Sequence, residues 1–192
     1  MGLRKPALSA CLVAAFLLPT LSLADAESAR LNRKIQQVML LNQILPVVFT
    51  KPQLKQLLPV IEKAREAEAD LAAKELKLLK KSEGKLDNAL DQALKKGRIV
   101  TGKEMDDIQK VLSAFSITRK MMVQEQSENV RLAMVKICNK GQLKGAAQSF
   151  DPRWFDRTLD PDKLNEEVRL RMFIRLVLLD PEAYPLLVQL SR

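Results

Sequence analysis

Histidine is absent from this chain of 192 residues, and glycine, cysteine and aromatic residues are scarce. The lack of histidine excludes His-based zinc or copper sites, Ser/His and Cys/His catalytic dyads and a histidine pH switch. The sequence also contains no glycine-rich phosphate loop and no nucleophile elbow. We therefore predict that the protein is not an enzyme and has no catalytic, metal-binding or cofactor-binding residues.

The two cysteines are Cys11 and Cys138. Cys11 lies in an N-terminal segment that we predict to be removed, so no disulfide can form within the mature chain. Cys138 follows an apolar helical stretch, where we expect a small buried side chain rather than a reactive thiol. Aromatic residues make up 4% of the chain. The interleaved aromatics of a single-strand nucleic-acid platform are missing, which argues against a nucleic-acid partner.

Long apolar runs are limited to the N-terminus. Arg4 and Lys5 precede an apolar run over residues 7–18, and Ser22-Leu23-Ala24 has small residues where a signal peptidase reads. We predict a cleavable signal peptide over residues 1–24, with a retained anchor as the alternative. The protein would then be periplasmic, or else secreted. The mature chain keeps 30 basic and 23 acidic residues, a net charge of +7, which favours anionic partners.

The rest of the chain shows helical periodicity and no strand pattern. We expect helices over residues 27–45, 50–96 and about 103–139, with shorter ones after them. The predicted fold is all-α: long kinked helices, coiled-coil-like, in an elongated hairpin or bundle with a shorter C-terminal helical region. We divide the mature chain into a long-helix domain, residues 25–140, and a C-terminal helical extension, residues 141–192. The extension would act as a lid on the long helices or as a subunit contact.

Two helix starts carry the same capping motif. Thr50 is placed to accept a hydrogen bond from the backbone of Gln53, whose side chain reaches back to the amide of Thr50. Thr101 and Glu104 repeat this arrangement before the third helix. Inside the second helix, Pro59 predicts a kink.

The Phe49–Gln53 segment resembles the LTxxQ signature of the Spy/CpxP group of periplasmic stress proteins. Val100–Glu104 is similar to a second copy, with glutamate in place of glutamine, and the resemblance covers roughly residues 31–139. That family forms thin antiparallel dimers shaped like a cradle, whose concave, basic and apolar surface holds unfolding clients without ATP. The resemblance implies an ATP-independent stress-response chaperone here, with unfolded or envelope proteins as partners and a homodimer as its assembly.

The residues alone leave three functions open. The first is a holding surface in which lysines steer clients and an apolar stripe binds them. The second is a helical adaptor for one envelope partner. The third is binding to an anionic membrane surface or polyanion through clustered lysines. The predicted client-binding residues are Leu54, Leu57, Ile61, Met105, Phe115, Met122, Lys77, Lys80 and Lys81.

Overall fold

The computed structural model describes residues 18–99, 102–154 and 156–192. These residues are mostly helical and contain no strand, which confirms the all-α prediction. The helices are α1 (Leu18–Ile44), α2 (Lys51–Lys96), α3 (Lys103–Ile137), α4 (Lys140–Ser149), α5 (Glu166–Phe173) and α6 (Ala183–Leu190). A π-helical turn, Ile174–Leu178, follows α5, and three short 3-10 helices lie at Leu45–Val47, Pro152–Trp154 and Pro161–Lys163.

The chain divides into two compact units, Met1–Met39 and Leu40–Arg192. In the first unit α1 begins at Leu18, upstream of the predicted start at residue 27, and exposes Leu31, Ile35 and Val38. Residues 1–17 lie outside the described part of the chain, so the signal-peptide prediction stays a prediction. Among the described residues, no helix has the length and apolar character needed to cross a membrane.

The long helix α2 has the predicted boundaries. Thr50 adopts an extended backbone at the N-cap, and Gly97 adopts the left-handed conformation, φ 60°, at the C-cap. The 46 residues between them form one helix about 70 Å long. The helix continues through Pro59 despite the backbone hydrogen bond that proline cannot donate.

The hydrophobic core of the second unit lies at one end of the two long helices. There the start of α2 and the end of α3 pack against α4, α5, the π-helical turn and α6. Leu57 of α2, Met134 of α3, and Phe173 and Leu187 of the C-terminal region are all fully buried in it. The region after residue 140 therefore shares its core with the long helices and covers their base.

Beyond this core, α2 and α3 run antiparallel as a two-helix hairpin. We call residues 65–99 and 102–129 the distal hairpin. Between Ala64 and Val130, the only buried side chain among those described is that of Glu75. Two helices alone cannot cover their own apolar stripes, so this part of the unit leaves large apolar side chains in solvent.

Candidate functional site

Two interlocked capping boxes fix the base of the hairpin. At the start of α2, the Thr50 amide donates to Gln53 Oε1 at 2.9 Å and the Gln53 amide donates to Thr50 Oγ1 at 3.4 Å, which confirms the predicted box. At the start of α4, Asn139 and Gln142 make the same pair of bonds, at 3.1 and 2.9 Å.

The two glutamines also bind each other. Each side-chain amide of Gln53 and Gln142 donates to the carbonyl oxygen of the other at 2.9 Å. Gln53 Nε2 further donates to the Ile137 carbonyl and Gln142 Nε2 to the Val48 carbonyl, both at 2.8 Å. The pair therefore ties the start of α2 to the α3–α4 junction and sets where the long helices begin to run together.

A wide opening separates α2 and α3 towards the tip of the distal hairpin. This cavity has a volume of about 760 Å³, and its apolar lining includes Leu79, Leu86, Ile108 and Leu112. Lys85, Asp107 and Lys110 stand among its polar lining residues. We call this opening, together with the cavity next to it, the cleft.

The neighbouring cavity, of about 540 Å³, lies nearer the core. It shares Leu79 and Leu112 with the first, so the two cavities meet at these residues. Three cationic residues, Arg119, Lys120 and Arg175, line it around Phe115 and Val123. The cleft therefore has an apolar floor along both helices and cationic groups at its edges.

One ion pair crosses the hairpin inside the cleft. Arg119 Nε donates to both carboxylate oxygens of Glu75, at 2.8 and 3.0 Å, and Nη2 of the same guanidinium donates to Oε2. These hydrogen bonds hold the pKa of Glu75 below its ordinary value, although burial acts in the opposite direction. Glu75 is therefore ionised at neutral pH, and this acid, the one buried acid among the described hairpin residues, is paired with Arg119.

The structure separates the predicted client-binding residues into two groups. Leu54, Leu57 and Ile61 have relative exposures of 2%, 0% and 1%. Their prediction as a client-binding surface is wrong, because the C-terminal helices cover this part of the stripe. In contrast, Met105 is exposed, Phe115 lines the second cavity, and Met122 lines a third cavity of about 200 Å³.

The predicted lysines are exposed but lie outside the cleft. Lys77, Lys80 and Lys81 are all in solvent, and none lines the cavities described above. Residues 79, 82, 86 and 89 of α2 face α3, and the helical repeat of 100° per residue turns these three lysines away from that face. Lys85, Lys110 and Lys120 stand at the cleft instead.

The second predicted capping box falls partly outside the described residues. Thr101 is not described, and neither is the side chain of Glu104. Helix α3 begins at Lys103, and its N-cap is Gly102, with φ 68° and no side-chain cap. The box that pairs with Thr50 and Gln53 is instead the Asn139–Gln142 box, which the sequence analysis missed. Its signal, Asn-x-x-Gln before a helix, is present in the sequence.

The middle of α3, residues 124–129, is polar, and the C-terminal end of this polar stretch contacts α5. Glu128 accepts hydrogen bonds from Arg131 at 2.7 and 3.0 Å and from Arg171 of α5 at 2.8 Å. These bonds, first those from Arg131, lower the pKa of Glu128 to about 2. The ion pairs lie where the hairpin leaves the core and help to dock α3 on α5.

Cys138 lies beside the core and is half-buried. Burial raises the pKa of its thiol to about 11, which favours the unreactive thiol as predicted. Within the described residues, no group of three or more potential ligands is arranged to hold a metal ion.

Comparison of the chain with protein-family models, with curated proteins and with solved structures finds no match.

Proposed function

We propose that the protein is an ATP-independent holding chaperone that binds apolar segments of partly unfolded proteins in the cleft. The observation that carries this proposal is that the hydrophobic core ends at the base of the hairpin and does not continue along it. Over residues 65–129 no described side chain except that of Glu75 is fully buried, and an opening of about 760 Å³ is lined by residues of both helices. The N-terminal sequence pattern supports action in the periplasm.

The exposed apolar surface is large enough for reversible binding. In the cleft, Leu79 and Leu112 have exposures of 38% and 54%, and Leu86, Ile108 and Phe115 are partly exposed. Complete burial of one fully exposed side chain of this size contributes about 1.5–3 kcal/mol to the free energy of client binding. Because these side chains are about half exposed at most, three or four contacts give a gross gain of roughly 4 kcal/mol, from which the cost of ordering the client is subtracted. The result is weak, reversible holding rather than tight capture.

Charge along the hairpin favours encounter with acidic segments. The distal hairpin as a whole carries 13 basic and 12 acidic residues, but the stretch nearest its tip, residues 74–122, has twelve basic and seven acidic residues, a net charge of +5. Such a field raises the rate at which negatively charged segments arrive, and salt screens it over about 10 Å at 0.1 M. Client binding should therefore be faster at low salt.

The test is suppression of client aggregation, measured by light scattering without nucleotide. The variant is Leu112→Asp and its matched control is Ile117→Asp. Both residues lie on α3 with similar exposures, 54% and 60%, but only Leu112 lines the cleft. We expect Leu112→Asp to weaken client binding about tenfold or more, since it removes an apolar contact and adds a charge, and Ile117→Asp to act like wild type.

Equal activity of the two variants would contradict the proposal. Absence of holding activity together with co-purification of one stoichiometric partner would favour the helical adaptor instead. Circular dichroism of both variants checks that the fold is unchanged.

A further inference from the structure

The two cavities of the cleft share Leu79 and Leu112 and together follow α2 and α3 as one groove. We propose, resting on the proposed function, that the segment held there is an acidic, amphipathic α-helix of about four turns. It would lie along α2 and α3 as a third helix. The proposed client segment is thus defined by its negative charge, its apolar face and its helical conformation, and is more specific than an arbitrary unfolded segment.

Length supports a helical occupant. The lining residues of α2 extend from Glu75 to Ala89, about 21 Å at roughly 1.5 Å per residue. The apolar ones recur at helical spacing, as Leu79 and Leu86 do, so they form ridges of the kind that helices pack against. A helix of about 14 residues with apolar anchors at i, i+4, i+7 and i+11 matches that length.

Hydrogen bonding favours a helix over an extended segment. The walls of the cleft are helices, whose backbone groups already bond within α2 and α3. Apart from charged groups, the described residues that line the larger cavity include two polar ones, Ser82 and Asn88. An extended client would turn some of its unpaired backbone groups towards apolar side chains, and each group that thereby lost its water would cost about 1–3 kcal/mol. A helix satisfies those groups internally.

Charge complementarity selects an acidic helix. Lys85, Lys110, Lys120 and Arg175 line the cleft, and none makes an ion pair with a described residue. The negative charge of Asp107 offsets one of these cations, whereas Glu75 offsets none of them because it is paired with Arg119. Glutamates flanking the apolar anchors of a bound helix would meet these cations on both sides.

Synthetic peptides of 14 residues provide the probe. The first has leucine at the four anchor positions and glutamate beside them. The second is a scramble of the same composition without an apolar face, and the third carries lysine in place of glutamate. Binding to the full chain is measured by fluorescence anisotropy of the labelled peptide, and helix formation by circular dichroism.

We expect the first peptide to bind at least tenfold more tightly than either control and to gain helicity on binding. Equal binding of the scrambled or the lysine peptide would overturn the inference, as would binding without a gain of helicity.

Two charge variants locate the binding site. The cleft variant carries Lys85→Glu, Lys110→Glu and Lys120→Glu. The outer variant, with the same change in net charge, carries Lys77→Glu, Lys80→Glu and Lys81→Glu. Each exposed ion pair changes an affinity about twofold, so the cleft variant should lose about tenfold in affinity for the acidic peptide. The outer variant should lose much less, and equal losses would overturn the proposed placement.

The outcomes separate this inference from the proposed function. If the scrambled peptide binds as well and aggregation is still suppressed in a Leu112-dependent way, the helix inference fails and the proposed function stands. If no peptide binds and aggregation is not suppressed, both fail.

Discussion

Replacing Gln142 by alanine tests the interlocked boxes at the base of the hairpin. Its side chain donates to the Val48 carbonyl and to Gln53 Oε1, and it accepts from the Asn139 amide and from Gln53 Nε2, at distances of 2.8–3.1 Å. A typical hydrogen bond contributes about 0.5–1.5 kcal/mol net. Because the site is only half-buried, water takes over part of the lost hydrogen bonding in the variant. We therefore expect Gln142→Ala to lower the free energy of unfolding by about 2 kcal/mol.

Urea unfolding followed by circular dichroism measures this loss. The matched control is Gln148→Ala in the same helix, because Gln148 is exposed and its side chain makes no hydrogen bond to a described residue. We expect that control to stay within about 0.5 kcal/mol of wild type. A double-mutant cycle with Gln53→Ala should show a coupling of about 1 kcal/mol. Equal effects of Gln142→Ala and Gln148→Ala, or strict additivity in the cycle, would refute the interlock.

Three further predictions follow from burial and charge. Leu57→Ala should lower the free energy of unfolding by about 2–5 kcal/mol and Leu94→Ala by less than about 0.5 kcal/mol, because these leucines of α2 are 0% and 81% exposed. Urea unfolding measures both losses. Equal losses would show that the hairpin has no open end. The pKa of Glu128 is lowered from 4.5 to about 2, so its ion pairs stabilise the fold above pH 4.5 and lose this effect as the pH falls towards 2. Glu128→Gln should therefore flatten the curve of unfolding free energy against pH in this range, whereas the exposed control Glu83→Gln should keep the slope of wild type. A Glu128→Gln slope equal to that of wild type or of the control would contradict the assignment. Burial raises the pKa of the Cys138 thiol from 9.0 to about 11, so alkylation should be about tenfold or more slower in the folded protein than in urea. Mass spectrometry follows the two rates, and equal rates would contradict the burial.

The boundaries of α2 and α3 were predictable from the sequence because the signals that set them are local, whereas α1 begins nine residues before its predicted start. The Thr50–Gln53 box and Gly97 mark the ends of α2 within a few residues of chain. The third helix, expected over about residues 103–139, is Lys103–Ile137. Apolar spacing assigns the inner face at the start of α2, where Leu57 is buried, but it fails in α1, where the regularly spaced Leu31 and Ile35 are exposed.

The sequence could not show which part of the stripe is covered. Leu57 and Leu86 belong to one periodic run, yet Leu57 is buried and Leu86 lines an open cavity. The difference comes from Phe173, Leu187 and their neighbours, which lie more than 100 residues further along the chain. The partner of Gln53 was hidden for the same reason, since Gln142 is 89 positions away. Local propensity does not encode such contacts.

Site-specific photo-crosslinking tests most directly the claim that clients lie in the cleft. A photoreactive amino acid is placed at position 112, inside the cleft, or at position 117, on the outward face of the same helix. Each protein is irradiated with a client that is unfolding, and the crosslinked fraction is measured on gels and by mass spectrometry. We predict that position 112 crosslinks the client several-fold more than position 117. Equal crosslinking from both positions, or crosslinking mainly from 117, would contradict the account.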